Sequence, residues 1–360
     1  MRLPESIRNE GKVLLSIPGF HTKRRIVVIE SDDWGSIRMP SKDIQEKLIK
    51  KGIRVDQYPY TRYDSLASEE DLSLIFEVLN SVKDKNSNPA IITANTVMTN
   101  PDFDKIKESN FKEYYFEPFT STLKRYPEHK KSFNLWLEGI RLGLFRPQFH
   151  GREHLNIMRW MQALKNSSGK IRLAFEFGLY DLSNGLINNE EAFMDALNFK
   201  SIKELDFQKQ SIIEGTELFY KIFGYRSETF IAPRFTWSRI LNKTLKNCGI
   251  KGIQGSWVQF EPKERRNNYR KLIHFTGQKN ELGQVFTVRN VQFEPTLCPN
   301  IDSVGNALKQ IDVAFKLDKP AIISSHRLNF VGYIDKRNRD KNLMLFSKLL
   351  KEIKIKWGNV

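Results

Sequence analysis

The amino-acid sequence predicts an α/β fold with a parallel sheet, either closed into a (β/α) barrel or wound with helices on both faces. Short apolar runs rich in β-branched residues alternate with amphipathic helical segments along the 360 residues, which is typical of repeated β-then-α units. Polar residues directly follow several of these runs. In a barrel the loops at the carboxyl ends of the strands share one face, and an open sheet gathers such residues too.

The first half of the chain contains two predicted strands and two predicted helices. Residues 25–30 form an apolar run that ends in a polar loop, and residues 90–93 form another that ends near Asn95. Between them, Ser68 is expected to cap a helix, because acidic residues follow it and apolar residues then recur at helical spacing. A second helix is expected over residues 127–142. Each predicted strand therefore leads into a loop that can carry functional groups.

The second half of the chain continues the alternation. Helices are expected at residues 155–164, 202–223 and 238–247, and strands at residues 172–177, 229–232 and 321–325 and near residues 252 and 285. No internal repeat and no Pro/Gly-rich linker separates these segments. We therefore expect one domain over residues 1–360, with its core at about residues 22–335 and a C-terminal helix at about residues 340–357.

The chain carries a formal net charge of +16, with basic residues concentrated near its start, at residues 263–271 and at residues 336–356. Such an excess attracts anionic partners, which include nucleic acid, an anionic membrane face and an acidic or phosphorylated glycan carrier. A solvated basic surface without a dedicated partner is the simpler interpretation. The sequence has no helix-turn-helix, RNA-binding or zinc-finger motif, which disfavours nucleic acid.

The cysteines and the apolar segments indicate the compartment. Cys248 and Cys298 are far apart in sequence and fit neither a metal-ligand spacing nor a disulfide framework. Charged residues interrupt the first 15 residues, and no segment elsewhere is long and apolar enough to cross a bilayer. We therefore expect a cytoplasmic protein that is not an integral membrane protein.

The strongest local motif is the pair His150 and His154, which frames the sequence HGREH. Two imidazoles four residues apart, at a turn from a strand into a helix, can bind the same cation. Zinc commonly takes two histidines and one carboxylate, and an open position then holds a water whose pKa falls to about 7. The alternative is that both histidines belong to the surface of a basic loop, but the chain has only six histidines.

Two carboxylates and a distant histidine complete a set of groups for acyl hydrolysis. Asp32 and Asp33 follow the first predicted strand directly, so one can bind the metal while the other accepts a proton from water. His326 follows the last predicted strand, and an imidazole can protonate a departing nitrogen or oxygen. Alternatively, the aspartates belong to a turn and His326 to the packed core.

These residues resemble the motifs of the polysaccharide deacetylases of the NodB-homology type, which are metal-dependent carbohydrate esterases. The sequence SDDWG at residues 31–35 is similar to the first motif of that family, HGREH at residues 150–154 to the second, and ISSH at residues 323–326 to the last. The resemblance implies a distorted (β/α) barrel of seven or eight parallel strands. It also implies that Asp32 is the catalytic base and His326 the general acid, and that Asp33, His150 and His154 bind the metal.

Other positions depart from the family pattern and mark a divergent member. Trp34 stands between the aspartate pair and Gly35, where the family has glycine directly after the acids, and Gly151 replaces a hydroxyl residue. By resemblance to the third motif, Arg234 would orient the catalytic base. Three further residues are expected to bind substrate, namely Trp34, Asn95 and Glu294.

The sequence thus predicts a metal-dependent hydrolase that removes N- or O-linked acetyl groups from a sugar of a polysaccharide or of a linked precursor. The predicted cofactor is one divalent cation, Zn²⁺ first, with Co²⁺, Ni²⁺ or Mn²⁺ as alternatives. One competing hypothesis is a catalytically inactive barrel that binds glycan. Another is a metal-free glycoside hydrolase whose carboxylate pair includes Asp32 and Glu176.

Overall fold

The computed structural model describes residues 17–166, 169–182, 192–264, 268–358 and 360. Its strands are β1 (Val27–Trp34), β2 (Ile92–Thr96), β3 (Thr99–Pro101), β4 (Phe116–Pro118), β5 (Phe145–Phe149), β6 (Thr229–Ile231), β7 (Gly252–Gly255), β8 (Val258–Pro262), β9 (Tyr269–Ile273), β10 (Val285–Val288), β11 (Val291–Gln292) and β12 (Ala321–His326). Its α-helices are α1 (Lys42–Lys50), α2 (Pro59–Tyr63), α3 (Glu69–Asn80), α4 (Phe103–Glu108), α5 (Phe119–Arg125), α6 (Ser132–Arg141), α7 (Ile157–Asn166), α8 (Lys170–Glu176), α9 (Leu205–Phe223), α10 (Asn242–Asn247), α11 (Ser303–Lys316) and α12 (Lys336–Trp357).

Eight strands form one sheet in the order β10-β7-β6-β5-β2-β1-β12-β11, and all neighbouring strands are parallel. The two outer strands belong to one continuous segment, because β10 ends at Val288 and β11 begins at Val291. Between them, the Arg289 amide donates to the Gly255 carbonyl of β7 at 3.0 Å, and the Asn290 amide donates to the Ile322 carbonyl of β12 at 3.2 Å. This segment closes the sheet, so the fold is a distorted (β/α) barrel with seven strand positions, as predicted.

The helix that Ser68 was expected to cap illustrates how the local sequence determines an element. The Ser68 hydroxyl accepts from the Asp71 amide at 3.2 Å, and the Asp71 carboxylate accepts from the Ser68 amide at 2.9 Å. This reciprocal capping box satisfies two amides that the first turn leaves without partners. Leu72, Ile75 and Leu79 are fully buried and pack α3 against the sheet. The predicted helix start and its apolar face are both confirmed.

One predicted element has the wrong type. Residues 172–177, expected as a strand, lie mostly within helix α8 (Lys170–Glu176). A short apolar run cannot be assigned to strand or helix by periodicity alone. In the structure Phe175 packs against Trp160 of α7, so a helix–helix contact determines the outcome. Boundaries also shift, since the C-terminal helix begins at Lys336, where the Asp335 side chain caps it. The domain boundaries stay predictions.

The alternation of side chains along β1 gives the barrel a polar interior. Neighbouring residues of a strand point to opposite sides. Ile29 therefore packs into the apolar core beneath the helices, whereas Glu30 and Asp32 both contact Arg289 inside the barrel. In the pairing of β1 with β12, Asp32 lies opposite His326. The carboxyl end of the sheet thus brings together residues nearly 300 positions apart. No helix in the described part of the chain is both long and apolar enough to span a bilayer.

Candidate metal centre

The end of β1 is irregular where the two aspartates lie. The pairing of β1 with β2 shifts between Ser31 and Trp34, and Asp33 adopts a φ of 71°. This left-handed conformation costs a non-glycine residue about 1–2 kcal/mol. Such strain in a buried residue is typical of functional sites. The left-handed conformation of Asp33 lets the adjacent carboxylates of Asp32 and Asp33 have separate partners at the same end of the barrel.

The two predicted metal-binding histidines lie in the loop that follows β5. Gly151 between them has a φ of 105°, and a Cβ atom there would lie 2.9 Å from the Glu153 carbonyl oxygen. Only glycine fits this conformation without strain. The loop is held by the Met98 amide, which donates to the Gly151 carbonyl at 3.2 Å. The rings of His150 and His154 are 5.0 Å apart. His154 lies three residues before α7, not at its first turn.

Asp33, His150 and His154 form a buried group whose ligand atoms all lie within 4.8 Å of one another. The Asp33 Oδ1 atom is 3.6 Å from His150 Nε2 and 3.3 Å from His154 Nε2. Both Asp33 Oδ1 and His150 Nε2 are buried, and neither has a hydrogen-bond partner among the described residues. Buried polar atoms of this kind need a partner. The donor set of two imidazoles and one carboxylate fits a divalent cation such as zinc.

A hydrogen bond determines which nitrogen of His150 can bind a metal. Its Nδ1 atom lies 2.9 Å from the carbonyl oxygen of Ile231, the last residue of β6. Because a carbonyl only accepts, Nδ1 carries a proton, and Nε2 is the nitrogen that faces Asp33. A backbone carbonyl commonly orients a metal-binding histidine in this way.

The electrostatics keep the other two candidate ligands, Asp33 and His154, in the protonation states that bind a metal. Burial lowers the pKa of His154 to about 3, and the attraction of Asp33 offsets this only in part. Burial alone would raise the pKa of Asp33, but His154 and Arg38 hold it well below its usual range. At neutral pH the site therefore offers a neutral imidazole and an ionised carboxylate, as metal ligands must be.

Asp32 is held by an arginine from the segment that closes the barrel. Arg289 Nη1 and Nη2 donate to the two oxygens of Asp32, both at 2.6 Å, while Nε donates to Glu30 at 2.6 Å. Asn95 donates to Asp32 Oδ1 at 2.8 Å. Although burial alone would raise it, Arg289 holds the pKa of Asp32 well below its usual range. Asp32 is thus ionised and rigidly oriented.

Sequence reasoning did not single out Arg289 and assigned the orienting role to Arg234, which stays a prediction. Arg234 follows β6 in a short 3₁₀ turn with a φ of 55°. The guanidinium that binds Asp32 comes instead from the residue after β10, because that segment passes beside β1 and β12 as it closes the barrel. The available signal for Arg289 was its place just after the strand predicted near residue 285, whereas Arg234 was chosen by resemblance to the third motif.

His326, the predicted general acid, contacts Glu294. The His326 Nδ1 atom lies 2.6 Å from Glu294 Oε1, and Nε2 lies 3.9 Å from Asp32 Oδ2. Burial alone would lower the pKa of His326, but Glu294 and Asp32 raise it to about 9. The ring is therefore protonated at neutral pH, with Nδ1 bonded to Glu294 and Nε2 on the side of Asp32.

The three residues expected to bind substrate have other contacts. Glu294 uses its second oxygen to accept from Asn329 at 2.7 Å, so it supports His326. Asn95 is fully buried and donates to Asp32 and to Gln254. Trp34 is 1% exposed and is therefore a core residue, not a platform for a sugar.

Trp34 is buried because the irregular end of β1 directs its ring into the core. There it packs edge-on against Trp136 and Phe145, at centroid distances of 6.0 and 4.8 Å. Its Nε1 donates to Ser31 at 2.9 Å.

The two carboxylates of the alternative glycosidase hypothesis lie in different surroundings. Glu176 lies at the end of α8, where its partly exposed carboxylate pairs with Lys107 on the surface. Asp32 is buried within the barrel. A glycosidase needs its two carboxyl groups on either side of one bond, roughly 5–9.5 Å apart.

A groove of about 460 Å³ opens beside His326, within the range of roughly 300–1,000 Å³ found for small-molecule sites. The groove extends from the carboxyl end of β12 to α11. The lining combines charged groups of the site with two aromatic side chains and several amides, and includes Arg289, Glu294, His326, Phe235, Trp257, Gln292, Asn306 and Gln310.

No protein-family model matches this chain, and no curated protein matches it. Among solved structures, the chain is similar to the Puue allantoinase, with 9% identity and a TM-score of 0.45 over 94% of this chain and 89% of that one. It is similar to a candidate polysaccharide deacetylase from Mycobacterium smegmatis, with 8% identity and a TM-score of 0.41 over 95% and 91%. It also matches a 4-alpha-glucanotransferase from Thermococcus litoralis, with 10% identity and a TM-score of 0.43, but spans only 38% of that longer protein.

Proposed function

We propose that this protein is a metal-dependent hydrolase that removes an acetyl group from a saccharide. The observation that carries the proposal is the buried group of Asp33, His150 and His154, with unpaired donor atoms, beside an ionised Asp32 and a protonated His326. These are the groups that hydrolysis of an amide or ester requires.

Asp33, His150 and His154 would hold a divalent cation, most simply Zn²⁺. When bound, such a cation supplies Lewis-acid polarisation of the acetyl carbonyl and makes a nearby water more acidic. Asp32 then accepts the proton of the attacking water. Because Arg289 keeps the pKa of Asp32 low, this carboxylate is a weak base that is ionised and ready to accept the proton. Arg289 and Asn95 fix its orientation, so no reorganisation of the carboxylate is needed during the reaction.

His326 donates the proton that the leaving group needs. Its raised pKa keeps the proton in place before the reaction, and Glu294 stabilises the imidazolium as a buried hydrogen-bond partner. Proton transfer to the departing amine or hydroxyl leaves a neutral imidazole. The distance of 3.9 Å between His326 Nε2 and Asp32 Oδ2 lets the proton taken up by Asp32 return to His326 after the products leave.

The groove beside His326 favours a saccharide as substrate. Trp257 and Phe235 line it together with the amides Gln292, Asn306 and Gln310, and sites for polar ligands commonly combine aromatic faces with a few placed hydrogen-bonding groups. Lys309 and the overall charge of +16 suit an anionic polysaccharide or a nucleotide- or lipid-linked precursor. We therefore propose an acetylated oligo- or polysaccharide, or a linked precursor, carrying an N- or O-acetyl group.

The test combines metal content with product release. We expect about one Zn²⁺ per chain in the wild type and loss of that metal in His150→Ala, because two ligands remain. His21→Ala is the matched control, since His21 is exposed and its ring bonds to the Gly19 carbonyl and to Lys319. The wild type and the control should release acetate from acetylated oligosaccharides.

Wild-type protein without bound metal would overturn the proposal. A wild type that binds metal and glycan but releases no acetate would support the inactive glycan-binding alternative.

A further inference from the structure

A tyrosine from outside the predicted motifs reaches the candidate site. Tyr60 lies on α2, a short helix in the connection between β1 and β2. The helix is anchored at both sides, because the Thr61 hydroxyl donates to the Val55 carbonyl at 2.7 Å and Gln45 donates to the Thr61 carbonyl at 3.1 Å. Tyr60 is thus presented by a fixed backbone and not by a free loop.

Two residues of the site hold the Tyr60 ring. The Arg38 guanidinium lies 5.0 Å from the ring centroid, and Arg38 Nη2 lies 3.4 Å from Asp33 Oδ2. The His326 ring is perpendicular to the Tyr60 ring, with centroids 5.7 Å apart. The tyrosine is therefore located between the partner of a metal ligand and the general acid. Such cation–π and edge contacts orient a ring without using its hydroxyl.

The Tyr60 hydroxyl has no hydrogen-bond partner within the described ranges of the chain, although the residue is half-buried. Burial and the charge of Asp33 raise the pKa of Tyr60 well above its usual range, so the phenol keeps its proton. By contrast, the buried hydroxyl of Tyr180 is paired with Ser36 at 2.6 Å. A donor that the protein leaves unpaired beside a site is available to a ligand.

We propose that Tyr60 is a catalytic residue whose hydroxyl donates a hydrogen bond to the carbonyl oxygen of the acetyl group. This inference rests on the proposed function. As water adds, a bond forms between its oxygen and the carbonyl carbon, its proton passes to Asp32, and the electron pair of the carbonyl double bond moves to the carbonyl oxygen. Tyr60 stabilises the negative charge that develops on this oxygen. A donor fixed in advance is effective because it need not reorganise during the reaction.

The variant Tyr60→Phe removes the hydroxyl and keeps the ring that contacts Arg38 and His326. In Zn²⁺-loaded protein we expect acetate, measured by calorimetry, to bind roughly tenfold more weakly, since hydrogen bonds to charged groups are among the stronger ones. We expect kcat for acetate release to fall about 100-fold, the effect typical of losing one oxyanion donor. Metal content and Tm should stay at the wild-type values.

The matched control is Tyr63→Phe, on the same helix, where the ring contacts Arg62. This variant should match the wild type in acetate affinity and in kcat. Equal acetate affinity in Tyr60→Phe and wild type would overturn the inference, and so would loss of metal or a lower Tm in Tyr60→Phe, which would indicate a structural role.

The acetate measurement separates this inference from the proposed function. A wild type that binds acetate through Tyr60 but releases none from saccharides would contradict the deacetylase proposal and still support the hydrogen bond.

Discussion

Individual residues in this site have narrow roles that their contacts define. Arg289 is a clear case, because one guanidinium donates hydrogen bonds to both Asp32 and Glu30, and all three side chains are buried. Removing one partner of a buried charge cluster leaves uncompensated charge in a medium of low dielectric constant. Orientation of the base and stability of the barrel therefore depend on the same side chain.

We expect Arg289→Gln to lower the free energy of unfolding by about 3–5 kcal/mol, the usual effect of breaking a buried ion pair. Its kcat should also fall, because Asp32 loses two of its hydrogen bonds. Urea denaturation and steady-state kinetics measure the two effects. Arg234→Gln provides the comparison between the two arginines. A larger loss of kcat in Arg234→Gln than in Arg289→Gln would restore the sequence-based assignment.

The pKa of His326 leads to a prediction about pH. In metal-free protein we expect an NMR titration to place this pKa near 9, and Glu294→Gln to lower it, because the carboxylate is a principal cause of the increase. The folded-state pKa lies above the unfolded value of about 6.5. Protonated His326 therefore stabilises the folded state fully below pH 6.5, and this stabilisation is lost as pH rises through 9.

For the enzyme, the alkaline limb of the kcat profile should move to lower pH in Glu294→Gln, since His326 must be protonated to act as an acid. An unchanged pKa of His326 in this variant would show that Glu294 is not responsible.

At the scale of elements, the conformation of the loop after β5 explains why glycine fits at position 151 between the two histidines. Gly151 occupies a position where the resembling family has a hydroxyl residue. The backbone at Gly151 is left-handed, and the Glu153 carbonyl approaches it closely. Both imidazoles depend on this turn, since His150 and His154 lie on either side of it.

We expect Gly151→Ala to weaken Zn²⁺ binding and to lower the free energy of unfolding by more than the roughly 1–2 kcal/mol of left-handed strain alone. The added methyl group must displace a backbone oxygen 2.9 Å away. Gly143→Ala is the matched control, because Gly143 has a φ of 68° and no atom within 4 Å of the added Cβ. Identical losses of stability and equal metal affinity in the two variants would contradict this account.

The sequence identified those elements whose signals are local. The capping box at Ser68 and the apolar runs of β1, β2 and β12 could be predicted from neighbouring residues. Helix α8 could not, because its short apolar run fits either type of element and its packing against α7 decides. The roles inferred for Arg289, Glu294 and Tyr60 depend on their contacts with Asp32 and His326 across the barrel, which a single sequence does not reveal.

At the scale of the whole molecule, the segment that closes the barrel also carries residues of the candidate site. The segment that joins β7 to β12 carries Arg289, and Glu294 follows it directly. The proposed metal ligands come from β1 and from the loop after β5. A cation held by these residues would bind only the folded barrel and would stabilise it by mass action.

We expect saturating Zn²⁺ to raise the Tm of chelator-treated protein by several degrees. At roughly 100 times its Kd, bound Zn²⁺ raises the free energy of unfolding by about 2–3 kcal/mol, and this gain implies such a shift. Differential scanning calorimetry measures the shift, with His150→Ala as the variant that should show none. A wild-type Tm that does not respond to Zn²⁺ would contradict a cation site in the folded protein.

The central claim is that Asp33, His150 and His154 hold a cation that is needed to remove acetyl groups. The most direct measurement is the rate of acetate release from acetylated oligosaccharides before chelation, after chelation and after Zn²⁺ is returned. We predict that activity disappears on chelation and recovers with about one equivalent of Zn²⁺ per chain. Acetate release that persists at the original rate in the chelated, metal-free protein would contradict the account.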